Sequence, residues 1–243
     1  PRSSAADGVV VGTNDMGPFD GSGARAIVLN NPRQFLNEAK LAMPEGHASN
    51  PALEYILRVE HDIVQAAARL RGADYTFKTE FPKSQFGNTV RIASQVAAAN
   101  TGVPALLISL NGFDTHHAQP GRQAALLKQL AEGLVALRSA MQEIGRWDST
   151  LVMTYAEFGR RAAENMSNGT DHGTANAHFV LGGSVKGGFY GSRPDFGQLD
   201  GNGNLPVSVD FRGLYATVLE KWWDVDSVAP LKGRFRPLDV IRI

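Results

Sequence analysis

Two short apolar runs on either side of one long amphipathic helix constrain this chain's fold more than anything else in it. Pro104-Ala-Leu-Leu-Ile-Ser-Leu110 is bounded by Gly102-Val-Pro104 and Asn111-Gly112, and Ser149-Thr-Leu-Val-Met-Thr-Tyr155 follows Gly145. Runs this short and this apolar read as strands buried on both faces. Between them Leu126, Leu127, Leu130, Leu134, Leu137, Met141 and Ile144 recur along one helical stripe. Strand, long helix, strand predicts a right-handed parallel crossover. The fold class is therefore α/β, a central and mostly parallel sheet flanked by helices.

The rest of the chain fits around that unit. Residues 1–24, rich in Ser, Gly, Asp and Pro, read as an irregular lead-in. Pro32 with Phe35, Leu36, Ala39 and Leu41 predicts a short helix. Tyr55, Ile56, Val59, Ile63, Val64, Ala67 and Leu70 predict a longer one, starting at Asn50-Pro51 and stopping at Gly72. A third helix is expected from Thr89 to Ala99, closed by Asn100 and Gly102. His178-Phe-Val-Leu181 is another apolar run, with His178 read as a core histidine. Asp210 is placed to cap a last helix carrying Leu214, Tyr215, Val218, Leu219 and Trp222. The glycine-rich stretch from Asp195 to Pro206 is a surface loop, and 1–243 reads as a single domain with no internal repeat. Pro1, with no Met and no signal-like segment, predicts a processed, truncated or fragmentary N-terminus.

Composition serves mainly to exclude. Lys+Arg and Asp+Glu both total 24, so no charge argument favours nucleic acid or an anionic membrane. No apolar stretch approaches the ~20 residues of a transmembrane helix. Cysteine is absent, which removes disulfides, thiolate ligands and a cysteine nucleophile. There is no Gly-x-Ser-x-Gly elbow, and Gly182-Gly-Ser-Val-Lys-Gly-Gly188 lacks the spacing of a phosphate-binding loop.

What remains is a set of three clusters. Asn111-Gly-Phe-Asp-Thr-His-His117 follows the first apolar run, Tyr155-Ala-Glu-Phe-Gly-Arg-Arg161 the second, and Gly169-Thr-Asp-His-Gly-Thr-Ala175 lies between glycine turns. Asp114 and His116, one residue apart, can face one side and serve one divalent ion, or can cap a turn and face solvent. His117 should point elsewhere. Glu157 is a ligand or a surface acid, and Arg160 either binds an anionic group or clamps Glu157 or Asp171. His172 reads as a ligand or proton carrier, with Asp171 as a second ligand or as the partner that fixes the tautomer of His172. The flanking glycines are expected to let the backbone approach a bound ion or ligand. His47 and His61 receive no role.

Gly112-Phe-Asp-Thr-His116, Thr154-Tyr-Ala-Glu-Phe-Gly-Arg160, Gly169-Thr-Asp-His-Gly-Thr-Ala175, Leu181-Gly-Gly and Lys186-Gly-Gly-Phe-Tyr-Gly191 together resemble one bacterial family, "domain of unknown function 1501". Asp210-Phe-Arg212 fits the same pattern, so the strong motifs span roughly residues 104–224. That family is commonly grouped with the alkaline phosphatase and sulfatase superfamily. The resemblance implies a three-layer alkaline phosphatase-like sandwich, twin-arginine export, and a periplasmic or extracellular location. It implies a metal-dependent hydrolase of a phosphate or sulfate ester, with Asp114, His116, Glu157, Asp171 and His172 around one or two divalent ions (Zn, Mn or Ca). Arg160 would stabilise the anionic group. Position 158 is Phe where the superfamily has a histidine, and the superfamily's early strand, bearing its nucleophile, would precede Pro1. No nucleophile is therefore named. The alternative is a non-catalytic envelope module that keeps the fold and binds a glycan or protein partner.

Overall fold

A computed structural model of the protein describes residues 6–21, 23–41, 50–70, 75–99 and 101–242. Pro1, His47, Gly72 and Asn100 lie outside the described residues, as do the side chains of Tyr55, Val59 and Leu70. The described chain divides into two compact units, Pro1–Asn111 with Leu126–Ile144 and Gly112–Ala125 with Gly145–Ile243.

The first unit is built on a strand that the sequence conceals. β1 (Gly8–Val11) lies inside the stretch expected to be irregular, and Val9, Val10 and Val11 are fully buried. Three consecutive valines fill both faces of a central parallel strand, so no alternation marks it. Their burial stabilises by roughly 1.5–3 kcal/mol each. β2 (Ala26–Val28) pairs with β1 in parallel on one side. α1 (Pro32–Glu38) starts at the expected proline, with Asn31 Oδ1 accepting the Gln34 N–H. Its Phe35 and Leu36 pack on the core, whereas Leu41 is exposed. α2 (Pro51–Leu70) is capped by Asn50, whose Oδ1 accepts the Leu53 N–H. α3 (Gln85–Ala98) begins four residues before the expected Thr89, because the Ser84 hydroxyl caps it through the Gly87 N–H. β3 (Ala105–Ile108) completes a parallel sheet of order β2-β1-β3. As an edge strand it is only part-buried, with Leu106 39% exposed, and this corrects the expectation of burial on both faces.

α4 (Gln119–Glu143) occupies the span of the predicted leucine stripe, but its buried residues are Gly133, Ala136, Ala140 and Met141. The absence of a side chain at Gly133 lets this face approach the Phe86 ring closely, and of the predicted stripe only Met141 is among those buried residues. Glu143, in the last turn, accepts hydrogen bonds from the Lys78 and Thr79 N–H groups and from the Thr79 hydroxyl. Those donors, the Lys78 N–H foremost, hold its carboxyl below the usual glutamate value.

The second unit carries short antiparallel pairs. β4 (Val152–Met153) is all that forms of the second apolar run, preceded by a 3-10 turn at Trp147–Ser149. Thr154 exchanges hydrogen bonds with Phe179. The run is thereby paired with a later strand rather than with β3. β5 (Gly159–Glu164) and β6 (Thr170–Gly173) form an antiparallel pair. β7 (Val180–Leu181) is the antiparallel partner of β4. The predicted β3–helix–β4 parallel crossover is therefore absent, since β4 is not in the parallel sheet. His178 is exposed rather than in the core. α5 (Phe211–Thr217) starts at the expected cap, with Asp210 accepting the Arg212 N–H, and continues through a π turn to Trp222. Its buried Thr217 hydroxyl accepts the Leu238 N–H and ties in the C-terminal segment. α6 (Val228–Leu231) is a single turn. The protein is thus mixed α/β, with a three-stranded parallel sheet and helices in one unit.

Glu143 gives a pH signature. Its folded pKa lies below the unfolded value, so its contribution is present above the ordinary value of 4.5 and disappears as the pH falls through the lowered one. Glu143→Gln should lower the melting temperature at neutral pH. The gap to wild type in circular-dichroism melts should close on acidification below that value; a gap independent of pH would contradict the assignment.

Candidate metal centre

The site is assembled by the segment after β3 and by the β5–β6 pair, all within the second unit. In that segment the Thr115 N–H donates to the Phe113 carbonyl at 2.9 Å, a tight turn that buries Thr115 and leaves Asp114 and His116 facing outward. Across β5–β6, Arg160 is opposite His172 in register, so both side chains rise on one face. Asp114-Thr-His116 and the Arg160/His172 pair meet there.

Three donor atoms converge. His172 Nε2 lies 2.9 Å and His116 Nε2 3.0 Å from Asp114 Oδ1, and the two Nε2 atoms are 3.0 Å apart. Asp114, His116 and His172 are the metal-type group found among the described residues. Protons cannot satisfy this triangle. Each Nε2 can carry one hydrogen, so at most two of the three edges are hydrogen bonds, and the third sets like partners against each other. One cation serves all three edges at once. First-row ions with bonds of about 2.0–2.2 Å hold their ligand atoms roughly 3.3–3.6 Å apart in tetrahedral geometry, so a small outward shift of these donors would seat one. The side chains are half-open, 60% exposed for Asp114, 44% for His116 and 47% for His172, so further coordination positions face solvent. The chemistry and spacing of the donor set fit a divalent ion.

The surroundings fix those donors. Arg160, 19% exposed, donates from Nη2 to Asp114 Oδ1 at 2.9 Å and to the Phe113 carbonyl at 2.6 Å, and from Nη1 to the Thr170 carbonyl at 2.7 Å. The His172 hydrogen bond, then that of Arg160, holds the Asp114 carboxyl below the usual aspartate range, as a ligand needs. Asp171 Oδ1 stands 3.6 Å from His116 Nδ1, in ion-pair range on the ring edge away from the triangle. The carboxylate thus stands beside the outer edge of the His116 ring rather than beside its sequence neighbour His172. Phe158 stacks on the His172 ring at 3.7 Å and 12° and limits its rotation.

Most residues named from the sequence are brought together: Asp114, His116 and His172 form the triangle, with Arg160 and Asp171 behind it. Glu157 is exposed in the bend before β5 and stands outside the converging group, and His117 is exposed. The sequence missed Asn165 and Gln119. Asn165 donates to the His116 carbonyl at 2.9 Å while its Oδ1 accepts the Ser167 and Gly169 N–H groups. Gln119 bridges the Thr115 and Thr170 hydroxyls at 2.9 and 3.0 Å. An Asn at the start of a Ser-Asn-Gly turn is the readable signal for the former. The glycines also serve differently from expectation. A Cβ on Gly169 would lie 2.2 Å from the His116 carbonyl carbon, and one on Gly173 2.5 Å from that of Arg160. They admit neighbouring backbone, not a ligand.

Comparison with known proteins adds one finding. The profile of a family described as "Protein of unknown function (DUF1501)" matches residues 6–232. No curated protein and no solved structure matches the chain.

Gly169→Ala should weaken zinc binding by about tenfold or more, since outer contacts commonly carry that much, with every ligand side chain intact. Gly187→Ala, which meets nothing within 4 Å, should not. Competitive zinc titration of both variants checks this, and equal affinities would detach the glycine from the site.

Proposed function

The chain belongs to the DUF1501 family, and we propose that it is a metal-dependent hydrolase of phosphate or sulfate esters, alkaline phosphatase-like in fold and exported from the cytoplasm. One observation carries the reading: three donor atoms from two chain segments stand within 3.0 Å of each other on a half-open surface. Two imidazoles and one carboxylate favour Zn²⁺, Mn²⁺ or Fe²⁺ over Ca²⁺, which takes six to eight oxygens.

Asp114, His116 and His172 would hold the ion. A bound ion of this kind lowers the pKa of its water and polarises an ester oxygen. Asp114 meets it as a carboxylate because His172 and Arg160 favour the charged form. Asp171 orients His116, and Phe158 sets the plane of His172. Arg160 acts as a positioning residue, since its donors are turned to Asp114 and two carbonyls of the site. The anionic group then has the ion as its main electrostatic partner. Among the described residues no helix is long and apolar enough to cross a membrane. The superfamily placement and the export route rest on the motif resemblance.

Elemental mass spectrometry on the purified chain, reconstituted with Zn²⁺, Mn²⁺ or Fe²⁺, should find one ion per chain. The ion should be lost in His172→Ala and Asp114→Ala and kept in His61→Ala. The loaded protein should hydrolyse aryl phosphate or sulfate esters, and chelation should stop it. An unloaded wild type after reconstitution would refute the metal site. Stoichiometric metal with no turnover over a broad ester panel would refute the hydrolase and leave the binding module.

A further inference from the structure

The first unit holds a second candidate site, independent of the metal centre and of the hydrolase reading. A cavity of about 300 Å³ opens beyond the carboxyl ends of β1 and β2, beside the first turns of α3. Parallel α/β sheets place ligands at that end of their strands. The polar lining is Thr13, Asn14, Asn30, Gln85, Asn88 and Thr89, with Ile92 as its apolar element. Four carboxamides and two hydroxyls converge, and no lining side chain is ionisable.

The hollow is built rather than incidental. Gly12 turns the chain out of β1 at φ +83°, and a Cβ there would lie 2.3 Å from Thr89 Oγ1, so only glycine lets β1 end against α3. β1 and β2 pair from Gly8↔Ala26 to Val10↔Val28, and continuing that register places Asn30 beside Gly12. Asn30 Nδ2 donates to Asn14 Oδ1 at 2.7 Å across the rim. Arg91 Nη2 donates to Asn88 Oδ1 at 2.7 Å, which commits the oxygen of that amide and leaves its N–H groups for a ligand.

The chemistry selects an uncharged ligand. The helix end is not an anion cradle, because the Ser84 hydroxyl and carbonyl already take the Gly87 and Asn88 N–H groups. The lining residues run along the side of α3 rather than across its end. Asp15, next in the chain after Asn14, and Arg91, bonded to Asn88, are of opposite charge, so the surroundings of the cavity carry no net charge. Carboxamides and hydroxyls both donate and accept, as the vicinal hydroxyls of a sugar do. The volume is at the small end of ligand pockets, which suits one or two rings. We propose that this cavity binds a neutral monosaccharide unit, free or at the end of a glycan.

The test is saturation-transfer NMR on the full chain with D-glucose, D-galactose, D-mannose and N-acetylglucosamine, and inorganic phosphate titrated separately by calorimetry. Asn30→Leu and Asn88→Leu lie at the exposed rim, and their melting temperatures report folding. Saturable transfer to at least one sugar, weakened about tenfold in each variant as loss of a hydrogen-bonding amide predicts, is the expected result. No transfer, transfer unchanged in both variants, or phosphate binding lost in the same variants would each overturn the assignment. Metal loading does not enter this readout, so its failure leaves the hydrolase reading untouched.

Discussion

Asp114 Oδ1 carries an unusual load for one oxygen. It receives the Arg160 guanidinium at 2.9 Å and two imidazole nitrogens at 2.9 and 3.0 Å, from a turn, from β5 and from β6. The Arg160 Nη2 that meets this oxygen also donates to the Phe113 carbonyl at 2.6 Å. The guanidinium thus fixes both the ligand and the turn that presents it. Asn165 and Gln119 tie the same turn to β6 and its hairpin loop. In a unit whose strands are only two to six residues long, this polar network supplies much of the local order.

How much of this could be read in advance differs between site and fold. The Asp-x-His spacing of Asp114 and His116 was legible, because alternation around the buried Thr115 puts both on one side. His172 was legible from its glycine-flanked setting. Asp171 was open to two roles, a second ligand or the partner of the adjacent His172, and the fold brings its carboxylate within 3.6 Å of His116 Nδ1. Phe158 looked like a missing ligand and is instead the platform under His172. For Asn165 the Ser-Asn-Gly turn that follows it was legible, but its bond to the His116 carbonyl, 49 residues away, was not, because no local pattern encodes such a contact.

The fold was harder to read, for physical reasons. β1 offers three valines after a polar stretch, and a strand buried on both faces has no period to detect. The crossover prediction failed on topology: periodicity identifies a strand but not its partner. β4 took its partner from the Thr154–Phe179 hydrogen bonds. On α4 the leucines drew attention, while apart from Met141 the buried residues are Gly133, Ala136 and Ala140, because close helix packing rewards small residues that apolarity counts overlook.

If the site holds metal as proposed, its donor set suits one ion rather than a pair. Two ions about 3.5–4 Å apart need a bridging ligand and a second set of donors. Asp171 is a further carboxylate beside the site, but it stands at the Nδ1 edge of His116, away from the Nε2 that faces the triangle. Glu157 belongs to no converging group among the described residues, and Arg160 puts a fixed positive charge on the same Asp114 oxygen, Oδ1, that meets the two histidines. Repulsion between that guanidinium and a second dication, in a site already holding one, would outweigh what a single shared carboxylate offers. On that reading, a mononuclear centre is the arrangement these charges favour.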